Sequence, residues 1–208
     1  MVAALVLAAG ASTRFGTNKL LLPFGASPLG ASTVVEAAVA NVLHSRARPV
    51  VVVTGHDAAR LRQALNGLPV TYVHNPDYQA GEMLSSIQAG LVFLQHHNPP
   101  PAAALIALAD QPLIPSQVFD RLITAFERGC GEIIAPRFKH DGPRGHPVLI
   151  GQSVWADVLA LPAGANVRDL LRARPHSVTH LVVNTDAILR DVDTPQAYEE
   201  ALQCLTRK

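Results

Sequence analysis

Short apolar runs, each stopped by a turn residue and followed by a helical pattern, constrain this chain more than anything else in it. Val2 to Leu7 is apolar throughout and ends in Ala-Ala-Gly10. Pro49 to Val53 closes with Thr54-Gly55, Val70 to His74 with Asn75-Pro76, and Ala103 to Leu108 runs into Ala-Asp-Gln-Pro112. Strands wetted on one face alternate apolar with polar residues, whereas continuous apolar runs belong in a parallel sheet covered on both faces. Residues 32–45, 57–65, 82–94 and 116–128 read as helices between them, with Ser32 as N-cap of the first. A further short strand is expected over 132–136. The alternation predicts an α/β fold, a Rossmann-like, open and mostly parallel sheet with helices on both faces.

After residue 137 the rhythm changes. Lys139 to Gly145 is polar and turn-rich, and 146–150 reads as one more strand. Residues 153–161 and 166–173 read as short helices, and 178–183 and 189–192 as strands. A last helix starts at Pro195 with Asp193 or Thr194 as its cap. With 208 residues, 49% of them apolar and 16% charged, a single domain over 1–208 with one sizeable core is expected. The formal net charge of +1 supplies no global field to attract nucleic acid or a membrane surface. Cys130 and Cys204 lack metal-ligand spacing and are expected as reduced thiols of a cytoplasmic chain. The apolar start carries no basic residue ahead of it and stops at Gly10. It therefore reads as a buried strand, not as a signal peptide or a membrane span.

Ligands of open α/β sheets bind outside the carboxyl ends of the strands. The stretch Leu7-Ala8-Ala9-Gly10-Ala-Ser12-Thr-Arg14-Phe-Gly-Thr-Asn-Lys19 lies at such an end. Its small residues let backbone N–H groups approach a ligand, Arg14 can fork onto phosphate oxygens, and Lys19 adds a mobile point charge. Taken alone, the loop also fits a glycine-bearing turn with two solvated cations. It is neither a Walker A motif nor a dinucleotide fingerprint, since Gly-Lys-Ser/Thr and Gly-x-Gly-x-x-Gly are both absent. Gly81 opens a helix whose first amides, with the hydroxyls of Ser85 and Ser86, can meet an anion or a base edge. Asp110 ends a strand, where its carboxylate can hold a hard divalent cation together with phosphate oxygens. Asp191 and Asp193 point to one side of an extended segment, and either can complete that site; Asp193 is the first choice, although it also suits a helix cap. Arg144 and His146 lie in a turn-rich loop that can read an acceptor.

These strings resemble those of the MobA-like NTP transferase family, the nucleotidyltransferases that mature the molybdenum cofactor. The N-terminal block resembles Leu-Ala-Ala-Gly-x-Ser-x-Arg-x-Gly-x-x-Lys, an opening shared with sugar-phosphate nucleotidyltransferases. Asn75 to Leu91 is similar to the family's Asn-Pro…Gly-Met-x-x-Ser segment, with Glu82 inserted between Gly81 and Met83. Asp110-Gln111-Pro112, Gly142-Pro-Arg144-Gly-His146-Pro147 and Asp191-Val-Asp193-Thr-Pro195 are similar to later family blocks, and the order is kept. Residues 163–171 depart from the usual Gly-Asp-x-Gly-Ala-Arg.

The resemblance implies a nucleotidyltransferase (glycosyltransferase A-like) fold, with residues 1–136 as the nucleotide-binding half and 137–208 as the acceptor-binding and closing half. It implies Leu7 to Gly10, Ser12, Arg14, Lys19, Gly81, Ser85 and Ser86 around the nucleotide, with Arg14, Lys19 and Asp110 catalytic. Asp110 and Asp193 would hold Mg2+, and Gln111, Arg144 and His146 would face the acceptor. The reaction implied is transfer of a nucleoside monophosphate from an NTP onto the terminal phosphate of a molybdopterin-type acceptor. Product handover to a molybdoenzyme or its chaperone is part of the same expectation. Ala9, where guanylyl-transferring relatives usually carry glycine, favours CTP. A different phosphorylated acceptor, or a non-catalytic relative that keeps the fold, are the alternatives.

Overall fold

The structure is a computed structural model that describes residues 1–11, 17–27, 30–79, 83–165, 167 and 177–206. Seven strands form one sheet: β1 (Val2–Ala8), β4 (Val50–Thr54), β5 (Thr71–His74), β6 (Ala103–Leu108), β7 (Ile133–Phe138), β8 (Val148–Gly151) and β9 (Val178–Val183). Their order is β5-β4-β1-β6-β8-β7-β9. Every pairing is parallel except those of β8, which runs antiparallel to both β6 and β7. Two reversals cancel, so β7 points the same way as β6. The carboxyl ends of β1, β4, β5, β6 and β7 therefore open on one edge of the sheet.

The apolar runs do what continuous hydrophobicity predicts. In β1, Val2, Ala4, Val6 and Ala8 feed one core while Ala3 and Leu5 feed the other. The first core lies under α1 (Val34–Leu43), α2 (Ala58–Ala64), α4 (Ser116–Glu127) and α6 (Pro195–Thr206). The second lies under α3 (Met83–Gln95) and α5 (Gln152–Leu159), with Trp155 fully buried and its indole N–H donated to the Ile150 carbonyl at 3.1 Å. Burying apolar residues on both sheet faces is worth ~25 cal/mol per Å2 on each, which is why these strands need no polar side.

Three local expectations are corrected. The first helix is capped by Thr33, not Ser32: the Thr33 hydroxyl accepts from Glu36 N–H at 3.3 Å and Glu36 accepts from Thr33 N–H at 2.8 Å. A glutamate at the third helical position fixes the cap three residues before it, and that reciprocal bond outcompetes Ser32. Ser32 and Thr33 instead end β3 (Gly30–Thr33), which pairs with β2 (Pro23–Ser27) in a two-stranded ribbon that the sequence reading left out. Residues 189–192 are not a strand. Asp186–Leu189 is a 3-10 turn capped by Thr185, whose hydroxyl accepts from Ala187 N–H at 3.2 Å, and the chain after it is irregular. The apolar residues of that run, Leu189 at the end of the turn and Val192 beyond it, pack into the first core. The helix expected over 166–173 lies, apart from residue 167, outside the described residues.

Candidate active site

The strand ends are tied to one another by backbone bonds. His56 N–H donates to Ala9 O at 3.2 Å, Asn75 N–H to Thr54 O at 2.8 Å, and Ala109 N–H to Leu7 O at 3.1 Å. Leu7 is half-buried, Ala8 and Ala9 are buried, and Gly10 is exposed at the mouth. Of the other residues expected around a nucleotide, Ser12, Arg14 and Gly81 lie outside the described residues.

Lys19 returns to this edge in a 3-10 turn, Lys19–Leu21, whose cap is the buried Asn18 side chain accepting from Leu20 N–H at 3.1 Å. Its Nζ donates to Asp110 Oδ2 at 2.6 Å and also to Asp193 Oδ1. Two oxygens bonded to one nitrogen are at most roughly 6 Å apart, so carboxylates from distant parts of the sequence meet here. The lysine and Asp110 side chains are largely covered, at 14% and 19% exposure, while Asp193 is 48% exposed. Burial works against the Lys19 ammonium. Attraction and hydrogen bonding from Asp110, then Asp193, outweigh it and hold the pKa above the ordinary lysine value.

The turn after β6 is locked to the segment carrying Asp193. Val192 N–H donates to Asp110 O at 2.9 Å. Gln111, expected at the acceptor, is 4% exposed. Its amide N–H groups meet Asp191 Oδ1 and, at 3.4 Å, Ile188 O. Burial raises the Asp191 pKa, and the Gln111 hydrogen bond opposes that rise. Asp191 thus faces Gln111 while Asp193 faces Lys19, which divides the two carboxylates between a tie and a cation site.

Ser85 and Ser86 both accept from Asn75 Nδ2, at 2.9 and 3.0 Å, and Ser86 is buried. Asn75 Oδ1 in turn accepts from Asp77 N–H at 3.0 Å. The sequence flagged Asn75-Pro76 as a turn; the clamp its buried amide makes between β5 and α3 had no sequence signal beyond that. Across the sheet, the 139–147 loop carries Arg144, exposed, and His146, half-buried, with His146 N–H donated to Ile188 O at 3.1 Å. Arg137, on β7 opposite Arg144, falls one residue beyond the strand expected over 132–136 and was not singled out in the sequence.

Two carboxylates gathered on one ammonium form an all-oxygen donor set that already stabilises positive charge. A hard divalent cation takes one or two carboxylates and fills its remaining positions with phosphate oxygens and water. Among the described residues no group of three or more histidine, cysteine, aspartate or glutamate side chains could hold a metal ion. Both cysteines are free, and among the described residues no helix is long and apolar enough to cross a membrane.

The chain is similar to known proteins over nearly its whole length. Molybdenum cofactor cytidylyltransferase of Escherichia coli K12 is 27% identical over 97% of this chain and 96% of its own length. The structure of an Rv0371c homologue from Mycobacterium sp. strain JC1 superimposes with a TM-score of 0.80 at 29% identity, covering 99% of this chain and 97% of that one. Rv0371c of Mycobacterium tuberculosis H37Rv, solved as a manganese complex, gives 0.74 at 25% identity, with 97% of both chains covered. Residues 4–179 match the family described as the MobA-like NTP transferase domain. That match spans most of the chain, which therefore belongs to the MobA-like NTP transferase domain family and is a nucleotidyltransferase.

Proposed function

We propose that the chain transfers CMP from CTP to the terminal phosphate of a molybdopterin-type acceptor and releases pyrophosphate. The observation that carries this reading is the meeting of Lys19, Asp110 and Asp193 at the carboxyl ends of the strands. The acceptor and base rest on the likeness to the E. coli cytidylyltransferase, which covers both chains almost end to end.

The nucleotide lies across the strand ends with its phosphates toward residues 7–10 and Lys19. An acceptor phosphate oxygen attacks the α-phosphorus in line as the bond to the β-phosphate oxygen breaks, and pyrophosphate leaves with that electron pair. The attacking oxygen is already anionic, so no general base is required. Lys19, held charged by its two partners, exchanges carboxylate for phosphate oxygens as the nucleotide enters. Arg14, outside the described residues, adds a second cation in this reading. Asp110 and Asp193 are the residues that would hold a divalent ion, Mg2+ by our reading, whose contribution is to neutralise charge on the phosphates. Acceleration comes from positioning and electrostatics.

The test is a pyrophosphate-release assay with CTP, GTP, ATP and UTP, each with and without molybdopterin and with Mg2+ or Mn2+. Turnover that needs molybdopterin and prefers CTP supports the reading. Equal turnover with a sugar phosphate would replace the acceptor and keep the chemistry.

A further inference from the structure

We propose that Arg137 and Arg144 form a two-guanidinium fork that binds the phosphate of the acceptor, an inference resting on the transferase reading above. Arg137 of β7 stands opposite Arg144 in an isolated antiparallel bridge. The bonds flanking that bridge run from Phe138 N–H to Pro143 O and from Gly145 N–H to Pro136 O, both at 3.1 Å. That pattern is a non-hydrogen-bonded pair, the type with the shorter Cα separation, about 4.5 Å, and the closest side chains. Like charges directly opposite each other are destabilising.

The loop cannot relax this repulsion by lifting away. A Cβ on Gly142 would stand 1.7 Å from Phe138 O, and one on Gly145 would stand 2.0 Å from Ile188 O. Only glycine permits so close an approach, so the loop is seated directly on backbone. Nor is the charge neutralised from within. Arg137 Nη1 reaches His140 O only at 3.5 Å, and Arg137 Nε is shielded from solvent with no partner among the described residues. Neither arginine forms an ion pair among the described residues. Two cations side by side, one with a shielded N–H that no described residue pairs, suit an anion of matching geometry.

Neighbouring groups fit that description. Ala135 of β7 pairs with His180 of β9, so His180 shares the face that carries Arg137. Burial, then Arg137, then Arg144 depress the His180 pKa, so the histidine senses both guanidiniums. Arg137 sits at the carboxyl end of β7, on the same sheet edge as Asp110. From β6 to β7 is two strand spacings, about 10 Å, so a phosphate gripped over β8 by the two long side chains can lie against the α-phosphorus of a nucleotide at Asp110. The loop is joined to the cation site through His146 N–H on Ile188 O and the chain from there to Asp193. Two forks suit a phosphate dianion better than a carboxylate, which one arginine satisfies.

The test uses the full chain and inorganic phosphate as probe, read by NMR at the Arg137 Nε–H and the His180 ring. Phosphate is expected to shift both in a saturable way. Arg137→Gln and Arg144→Gln should each weaken the binding seen at His180 at least tenfold, and Arg137→Lys should lose less. A non-hydrolysable CTP analogue, added alone, should leave the Arg137 signal in place. Signals unmoved by phosphate, an unchanged affinity in Arg137→Gln, or a shift by the analogue equal to that by phosphate would each overturn the fork. The last would assign it to the nucleotide. Wild-type spectra suffice even where a variant folds poorly. No turnover is needed, so failure of the CTP and molybdopterin assay leaves this outcome readable, and the reverse also holds.

Discussion

At the carboxyl ends of β1 and β6 one ammonium sits between two carboxylates; at the β7 edge Arg137 and Arg144 stand opposite each other without a counter-charge among the described residues. The first arrangement is neutralised from within. A ligand entering there displaces an ion pair that already exists, so the gain is a difference between two strong interactions. The second gains directly from any anion, because the repulsion is present beforehand. On the reading proposed above, one fold holds a site tuned for exchange and a site tuned for capture. That division suits a nucleotide that must be split and an acceptor that must be held while it attacks.

The largest separation between the two regions should come from Asp110→Asn. It removes a charge from the exchange site and leaves the β7 edge untouched. Metal-dependent pyrophosphate release is expected to fall on the order of 10^3-fold, with thermal stability and phosphate binding at Arg137 preserved. Near-normal release would remove Asp110 from the chemistry. A collapse of phosphate binding would show that the two regions are one site.

Lys19→Met comes next, with an expected loss of about 10^2-fold in turnover. It also leaves two carboxylates facing each other, at a cost of about 1 kcal/mol, because Asp193 is half exposed and solvent screens it. The sign of the pH dependence follows from the raised lysine pKa. The folded-state pKa lies above the unfolded one, so the contribution is complete below the unfolded value of about 10.4 and is lost as the pH rises through the folded value. The stability gap between wild type and variant should therefore stay flat from about pH 6 to about pH 9. A gap that closes within that range would mean the ammonium is not held as described.

Gln111→Leu sharpens the comparison from the inside. The glutamine looked like an acceptor ligand from its place in Asp-Gln-Pro, yet it is buried against Asp191. Its loss strands a half-buried carboxylate and should cost about 2 kcal/mol, read as a lower melting temperature. The KM for the acceptor should change little. A raised KM with an unaltered melting temperature would return Gln111 to the acceptor.

That residue marks the limit of what the sequence discloses. Continuous apolar runs have one physical use, so the mostly parallel sheet covered by helices on both faces was legible from Val2–Leu7, Pro49–Val53 and Ala103–Leu108, whereas the one sizeable core expected is two, one on each face. The place of Asp110 was legible because a strand end fixes where a side chain hangs, and Lys19, in a 3-10 turn, was picked out only by the string it closes. The aim of a side chain within a turn was not. Gln111 turning inward and Asn75 clamping Ser85 and Ser86 depend on contacts between segments that no local pattern encodes. Arg137 was hidden for another reason: its meaning arises only from Arg144 opposite it, a pairing set by the register of the 139–147 loop.

The smallest effect is the most direct reading of the unneutralised edge. His180 is depressed by burial, then by Arg137 and Arg144. Its folded-state pKa lies below the unfolded one, so the stability it contributes is present above about pH 6.5 and is lost as the pH falls through the folded value. The ring is too exposed for this to register clearly in melting curves, so the titration is followed on its NMR signal. Arg137→Gln and Arg144→Gln should each move the titration up toward the ordinary histidine value, and bound phosphate should move it the same way in the wild type. The lysine-centred end supplies the control. Asp110→Asn should leave the His180 titration where it was, because that carboxylate already has its own cation. A His180 curve that ignores both arginines yet follows Asp110 would mean that charge is shared across the crevice, and the contrast between an exchange site and a capture site would have to be given up.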